Sequence, residues 1–295
     1  MFQSIAVIGA GTMGRGIARL LAGHGSRVTL YDPNPEALHA MKASRVEAEE
    51  NLGLQLTTNL QEAVRHAELI LEAAPENLEI KRAIYEQIAT TVGEDTIIAS
   101  NTSTYPLAVL AEHQPFADRM LIAHFFNPAD IIPLVEIVQL ETTRPGLAER
   151  LADTLRTAGK VPVMLNKDVP GFLANRLQAA VMREACHLLE IGVATAEQVD
   201  TAVKEGLGPR WALNGPFEIA DFGGLDVWEK VTGHLFPHLG RETEVPEAIA
   251  EQVQRGRLGL KSGSGFYEYG DAGNGEQTVR QWRDRLTKLI CSRED

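Results

Sequence analysis

Cysteine is scarce in this sequence. There are two in 295 residues, Cys186 and Cys291, far apart and without a second thiol or a paired histidine nearby. Isolated thiols build no disulfide framework and suit a reducing compartment, so the expected location is cytoplasmic and no metal site is expected. The sequence also lacks any apolar run approaching the roughly 18 residues of a membrane span. The first strand-like stretch begins almost at Met1, which leaves no place for a signal peptide. Positive charge is in deficit: 28 Lys and Arg stand against 40 Asp and Glu, a formal charge of −12. That balance argues against nucleic acid or an anionic membrane as a partner. It leaves room for a small anionic substrate, which needs only local positive groups. The rest is ordinary for a globular protein, with 44% hydrophobic and 23% charged residues. The length points to about two domains, and no internal repeat or low-complexity segment is present.

What the sequence does contain starts at its first residues. Residues 4–8 (SIAVI) form an apolar, β-branched run, Gly9-Ala10-Gly11-Thr12-Met13-Gly14 follows, and Ile17, Leu20 and Leu21 then fall at helical spacing. Strand, G-x-G-x-x-G turn and helix in this order make the dinucleotide-binding arrangement. Gly9 would permit the tight turn, Gly11 the close approach of a pyrophosphate, and Gly14 the packing of helix on sheet. The amino end of the helix would hold the phosphates, with Ala10, Thr12 and Met13 completing the cofactor turn. Glycines also make plain turns, and FAD and S-adenosylmethionine use similar ones. A second strand over 27–31 narrows the choice, because it ends at Asp32, 18 residues past Gly14. A carboxylate there accepts both ribose hydroxyls and repels a 2′-phosphate. Pro33-Asn34-Pro35 supplies no arginine to bind one, so the cofactor is read as NAD rather than NADP.

Beyond Asp32, helices are expected over 35–52, 59–66, 79–92 (capped by Asn77), 105–112 and 146–158. Strands are expected over 54–58, 68–72, 96–100, 120–124, 134–138 and 161–164. The acidic run Glu47, Glu49 and Glu50 reads as a solvated helix face. Alternation of this kind implies a mostly parallel sheet of Rossmann type, with ligands at the carboxyl ends of its strands. After Asp168-Val169-Pro170-Gly171-Phe172 the pattern changes. Helices are expected over 173–191, 196–205, 216–233 and 246–255, with no strand before 266–269 and a flexible loop at 270–275. The fold class is therefore α/β, a Rossmann-type domain over 1–166 followed by an all-α C-terminal domain over 167–295.

Few residues are candidates for chemistry. His124 ends a strand on the face where a cofactor would lie. Twelve residues on, Glu136 interrupts an apolar strand, Leu134-Val135-Glu136-Ile137-Val138. A buried glutamate is costly unless paired, and an imidazole is the economical partner. Such a pair would fix the ring's tautomer, which suits a general base that removes a hydroxyl proton. The competing reading is a glutamate on an edge strand facing solvent. Ser100-Asn101-Thr102-Ser103 also follows a strand, where hydroxyls and an amide would bind a substrate oxygen or the nicotinamide ribose. Its competing reading is an ordinary helix N-cap before 105–112. Asn175, near the start of the first helix of the second domain, would not be singled out alone.

Taken together, these residues resemble the L-3-hydroxyacyl-CoA dehydrogenase family nearly end to end. The resemblance is carried by G-A-G-x-M-G at the start, E-A-A-P-E-N-L-E-I-K (72–81), S-N-T-S (100–103), H-F-F-N-P (124–128), L-V-E (134–136), P-G-F-L-A-N-R (170–176), G-P-F-E (215–218) and G-x-G-F-Y (263–267). It implies that His124 takes the 3-hydroxyl proton as hydride leaves C3, that Glu136 orients it, and that Ser103 and Asn175 hold the substrate oxygen. It implies cofactor contacts from Glu76, Lys81, Asn101, Ser103 and Asn127, a homodimer through the helical domain, and a place in fatty acid metabolism. The leading expectation is oxidation of a short-chain L-3-hydroxyacyl-CoA. The alternative is the same chemistry on a free 3-hydroxy acid such as carnitine or gulonate. Only 23 residues separate Asp32 from Leu56, a short version of the helical excursion that clamps CoA in this family. Ile132-Pro133-Leu134-Val135-Glu136 and Gly208-Pro209-Arg210-Trp211 resemble the free-acid relatives, whereas Phe125-Phe126 and the Gly-Phe-Tyr ending resemble the CoA branch. Arg210 would clamp a carboxylate under the second reading or be a surface arginine. A structural role like that of the lens crystallins recruited from this family is disfavoured, because Ser103, His124, Glu136 and Asn175 are all present.

Overall fold

In the computed structural model, which describes residues 1–43, 53–270 and 272–292, the alternating stretches form one eight-stranded sheet. Its strands are β1 (Ser4–Ile8), β2 (Arg27–Tyr31), β3 (Leu54–Thr57), β4 (Leu69–Glu72), β5 (Ile97–Ser100), β6 (Met120–Phe125), β7 (Leu134–Val138) and β8 (Val161–Met164). They are ordered β3-β2-β1-β4-β5-β6-β7-β8, and every neighbouring pair is parallel except β6–β7. The order reverses between β1 and β4, the switch point at which doubly wound sheets open a crevice at their carboxyl ends.

The strands are nearly continuous apolar runs because helices cover both faces. On one face pack α1 (Thr12–Gly23), α2 (Pro35–Ala43) and, later in the chain, α6 (Leu147–Thr157). On the other pack α3 (Leu60–Val64), α4 (Leu78–Ile88) and α5 (Leu107–Ala111). Successive strand residues alternate between the two cores. Ile5 and Val7 join the first and Ala6 and Ile8 the second; Leu121, Ala123 and Phe125 join the first and Met120 and Ile122 the second. The same alternation puts His124 and Glu136 together on the second face. Asparagine caps start two helices as the sequence predicts. Asn77 accepts from the Ile80 N–H at 3.0 Å and Asn59 from the Glu62 N–H at 3.2 Å.

The chain divides into two compact units, Met1–Asn175 and Arg176–Asp295. The segment after β8 stays with the sheet because Phe172 is fully buried in the second-face core. α7 (Ala174–Glu190) leads into the helical unit. It contains α8 (Ala196–Ala202), a π-helical turn at Val203–Leu207, α9 (Gly208–Trp211), α10 (Pro216–Gly223), α11 (Leu225–Leu235), α12 (Glu247–Gln254) and α13 (Ala272–Cys291).

Three expectations are corrected here. The helix over 216–233 is broken at Gly224, whose φ of 86° is left-handed and ends α10. The strand over 266–269 is reduced to two isolated bridges, Gly259–Ser264 and Ser264–Glu268. The loop at 270–275 is in part helix, because residues 272–275 form the first turn of the 20-residue α13. Gly273, Asn274 and Gly275 are weak helix formers, but the stronger formers that follow them propagate the helix back. Glu47, Glu49 and Glu50 lie outside the described residues. Among the described residues no helix is long and apolar enough to cross a membrane, and no cluster of His, Cys, Asp or Glu could hold a metal ion.

Candidate active site

The three glycines of the first turn have different reasons to be glycine. Gly9 has a φ of 102°, and a Cβ there would stand 2.6 Å from the Ala73 carbonyl oxygen. A Cβ on Gly14 would stand 1.8 Å from the Gly9 oxygen. Both are dictated by packing within the protein. A Cβ on Gly11, in contrast, would meet nothing within 4 Å. Gly11 is the N-cap of α1, which has no side-chain cap and no acidic residue in its first turn. The turn thus presents a bare backbone and the positive end of a helix to open space, which suits a pyrophosphate.

Asp32 stands at the tip of β2 beside this turn. Its Oδ2 accepts from the Ala10 N–H at 2.7 Å and its Oδ1 from the Asn34 N–H at 2.9 Å. The carboxylate is partly exposed, and each oxygen retains a lone pair for a ribose hydroxyl. These residues fit NAD. Asp32→Ala is expected to raise the NADH Kd about tenfold or more, since a hydrogen bond to a charged acceptor is worth about 1.5–3 kcal/mol. Fluorescence titration measures this, and an unchanged affinity would count against the ribose contact.

The turn after β5 is held from beneath. Glu76 Oε1 accepts from the Ser103 N–H at 3.1 Å, the Thr104 N–H at 3.0 Å and the Thr102 hydroxyl. Its Oε2 lies 3.3 Å from Lys81 Nζ, which is buried and also 2.8 Å from Glu72 Oε1. Burial pushes the Glu76 carboxyl up, but the Thr102 hydroxyl and the Lys81 ammonium outweigh it and hold the group below the usual carboxylate range. Asn101 Oδ1 accepts from the Phe125 N–H at 2.9 Å and so ties the end of β5 to that of β6. The helix-cap reading of this stretch fails, because α5 begins after Pro106 and has no side-chain cap. Ser103 is left with a partly exposed hydroxyl whose one hydrogen-bond contact among the described residues is Thr104 Oγ1 at 3.4 Å.

β6 and β7 run antiparallel with His124 directly opposite Glu136. His124 Nδ1 lies 2.8 Å from Glu136 Oε2. The other oxygen, Oε1, accepts from the Leu173 and Ala174 N–H groups at 2.9 Å each. Those amides open α7, so the carboxylate also caps a helix. Glu136 is 1% exposed, which overturns the edge-strand reading. Burial alone would push its carboxyl up, but the His124 ring and the two amides hold it below the ordinary value. An ionised Glu136 only accepts, so Nδ1 donates to it, and Nε2 is the ring nitrogen left to exchange a proton. The ring packs between Phe126 and Phe172, at centroid distances of 4.5 and 5.2 Å.

The other expected residues are less engaged. Asn175 is the residue after Ala174, on the first turn of α7 and half-buried, and Asn127 is exposed two residues past Phe125. Arg210 is exposed on α9, in the helical unit. The sequence alone does not single out Phe126, Phe172, the Leu173 and Ala174 amides, or Glu72. The one available signal was Pro170-Gly171-Phe172, where Gly171 and Phe172 both take positive φ, 77° and 51°. A non-glycine residue in that region is uncommon and marks an imposed geometry.

The chain as a whole is similar to known proteins. The 3-hydroxyacyl-CoA dehydrogenase NAD-binding domain matches residues 4–169, and the C-terminal domain of the same family matches residues 171–269. The chain is 37% identical to 5-formyl-3-hydroxy-2-methylpyridine 4-carboxylate 5-dehydrogenase of Mesorhizobium japonicum, over 99% of this chain and 98% of that one. It is 36% identical to L-carnitine dehydrogenase of Streptomyces griseus, over 83% of this chain and 76% of that one. It is also 36% identical to 3-hydroxyadipyl-CoA dehydrogenase of Escherichia coli, over 90% of this chain and 59% of that longer one. A solved structure of the pyridine-carboxylate enzyme, described as an NAD+-dependent dismutase, superposes with a TM-score of 0.91 at 36% identity, covering 99% of this chain and 98% of that one. A 3-hydroxybutyryl-CoA dehydrogenase of Escherichia coli superposes with a TM-score of 0.74 at 35% identity, covering 92% and 60%. The chain therefore belongs to the 3-hydroxyacyl-CoA dehydrogenase family and is an NAD-dependent oxidoreductase acting on a CH–OH carbon.

Proposed function

We propose that this enzyme oxidises a hydroxyl-bearing carbon of a small, free carboxylate compound, with His124 as general base and Glu136 as its orienting partner. The contact of 2.8 Å between His124 Nδ1 and Glu136 Oε2 carries the catalytic part of the reading. Glu136, held ionised by two amides, keeps the proton on Nδ1. His124 Nε2 then accepts the hydroxyl proton as hydride leaves the same carbon. NAD supplies the hydride acceptor, and the protein supplies position and electrostatics. In reduction the protonated ring returns its proton from Nε2. The Ser103 hydroxyl and the Asn175 amide hold the substrate oxygen, and the Phe126 and Phe172 rings keep water from the imidazole. Glu76, Lys81, Asn101, Ser103 and Asn127 surround the cofactor side.

The choice of a free carboxylate rests on the end-to-end match to the pyridine-carboxylate enzyme and on the short segment after Asp32. An aldehyde fits the same machinery, because its hydrate presents a C–H and an O–H on one carbon. The second reading is a short-chain L-3-hydroxyacyl-CoA within fatty acid metabolism, favoured by the family's name and the H-F-F-N-P motif. Acetoacetate, dehydrocarnitine, a 5-formylpyridine 4-carboxylate and acetoacetyl-CoA at matched concentrations separate the two. NADH oxidation follows the keto substrates, and NADH formation and oxidation both follow the aldehyde. At least one free carboxylate is expected to exceed the thioester in kcat/KM by about tenfold or more, the scale set by one well-formed polar contact. Turnover confined to acetoacetyl-CoA would reverse the assignment.

Two further readings belong here. Large apolar side chains of the helical unit lie open, with Leu213 77%, Phe217 86% and Phe222 76% exposed. They support a homodimer through that unit, testable as a doubling of the 32.2 kDa chain mass in light scattering. Two unpaired cysteines, one buried and one exposed, support a reducing, cytoplasmic setting.

A further inference from the structure

Glu72 ends β4, in register with Ile8 of β1 and Ser100 of β5, and is fully buried. Four donors converge on its carboxylate. Oε1 accepts from the Ala74 N–H and from Lys81 Nζ, each at 2.8 Å. Oε2 accepts from the Tyr85 hydroxyl at 2.9 Å and the Ser100 hydroxyl at 2.6 Å. Burial, with Glu72 beside it, pushes the Tyr85 phenol well above its ordinary range, so it remains a neutral donor. Buried ion pairs are poor sources of stability compared with apolar side chains of similar volume. The position is better explained by what the carboxylate holds in place.

Its partners lie on three separate segments, the turn after β4, helix α4 and the end of β5. Each leads toward Ser103. Lys81 bridges Glu72 to Glu76, and Glu76 holds the Ser103 and Thr104 amides. The Ser100 hydroxyl, fixed by Glu72, accepts from the Thr102 N–H at 3.2 Å, and the Glu72 carbonyl accepts from the Asn101 N–H at 2.7 Å. The backbone of Ser103 is thus anchored through groups that meet at one buried carboxylate, while its hydroxyl stays available.

We propose that Glu72 is a positioning residue for Ser103, acting through Lys81, Glu76 and Ser100 to set the place from which the Ser103 hydroxyl meets the substrate oxygen. The inference rests on the role of Ser103 given above.

A double-mutant cycle on a substrate the enzyme turns over tests it. Glu72→Gln puts an amide among four donors and is expected to lower kcat about 10–100-fold, the scale of a displacement of about 1 Å. NADH affinity by fluorescence titration is read beside it, so that the part of the kcat loss that depends on Ser103 is separated from any loosening of the cofactor through Lys81 and Glu76. In a Ser103→Ala background the same substitution should cost less than about twofold, because coupled residues do not add. Ser100→Ala, which keeps the Glu72–Lys81 pair, should lower kcat about threefold or more and lose that effect likewise. It carries the cycle if circular dichroism shows Glu72→Gln unfolded. Full cost in both backgrounds, or an unchanged kcat, would overturn the proposal and leave the function standing. A wild type inactive on every substrate named above would overturn both.

Discussion

Replacing His124 with glutamine is expected to lower kcat about a thousandfold while leaving the NADH Kd within about twofold. General acid–base catalysis contributes about 10²–10⁴-fold, and glutamine retains hydrogen-bonding capacity but takes up no proton near neutral pH. The substitution is buried between Phe126 and Phe172, and glutamine fills most of the ring's volume, so the pocket should survive. The turn at Gly11 and the Asp32 carboxylate, around which NADH is proposed to bind, follow β1 and β2 rather than β6. Steady-state kinetics beside fluorescence titration separates the two effects. Near-normal turnover would remove His124 as the base.

Glu136 has the second large expected effect, and it is double. Glu136→Ala leaves a buried imidazole without its partner and two helix-opening amides without an acceptor. Each buried donor left without an acceptor costs about 1–3 kcal/mol, which urea unfolding would register directly. Glu136→Gln is gentler in volume and harsher in chemistry. Its amide can donate to Nδ1, which moves the proton to Nε2 and removes the lone pair that catalysis needs, so kcat should fall about a hundredfold or more. The pH dependence has a definite sign. Because the folded carboxyl is held below its ordinary value of 4.5, its stabilisation is present in full above about that pH and is lost as pH falls through the folded value. The stability gap between wild type and Glu136→Gln should therefore be flat above about pH 5 and close in acid. A gap independent of pH down to about pH 3 would mean the carboxylate is not held in this way.

Much of the sheet was legible because its strands are buried on both faces and read as uninterrupted apolar runs. The cap at Asn77 and the acid at Asp32 were legible because both are local features of the chain. The pairing of His124 with Glu136 was legible only as a possibility. Two residues twelve positions apart face each other only if β6 and β7 are antiparallel in one register, and the intervening loop does not declare that. The anchoring of Glu136 by the Leu173 and Ala174 amides was not legible, since it depends on where a later helix begins in space. The four-donor surroundings of Glu72 draw on Ala74, Lys81, Tyr85 and Ser100, which share no sequence period. α13 was missed because its glycine- and asparagine-rich start is locally indistinguishable from a turn.

The antiparallel step between β6 and β7 has a consequence for how such an enzyme can change. Its ladder sets His124 directly opposite Glu136. A slip of one residue would turn the carboxylate to the other side of the sheet. Any slip of the ladder parts the two side chains, so the His124–Glu136 contact is inherited whole or lost. The connection from Asn127 to Pro133 lies outside the ladder, and changes confined to it leave the His124–Glu136 register in place. A lineage could in this way retain one reaction and try many substrates, and hairpin grafts between relatives are the corresponding route for redesign.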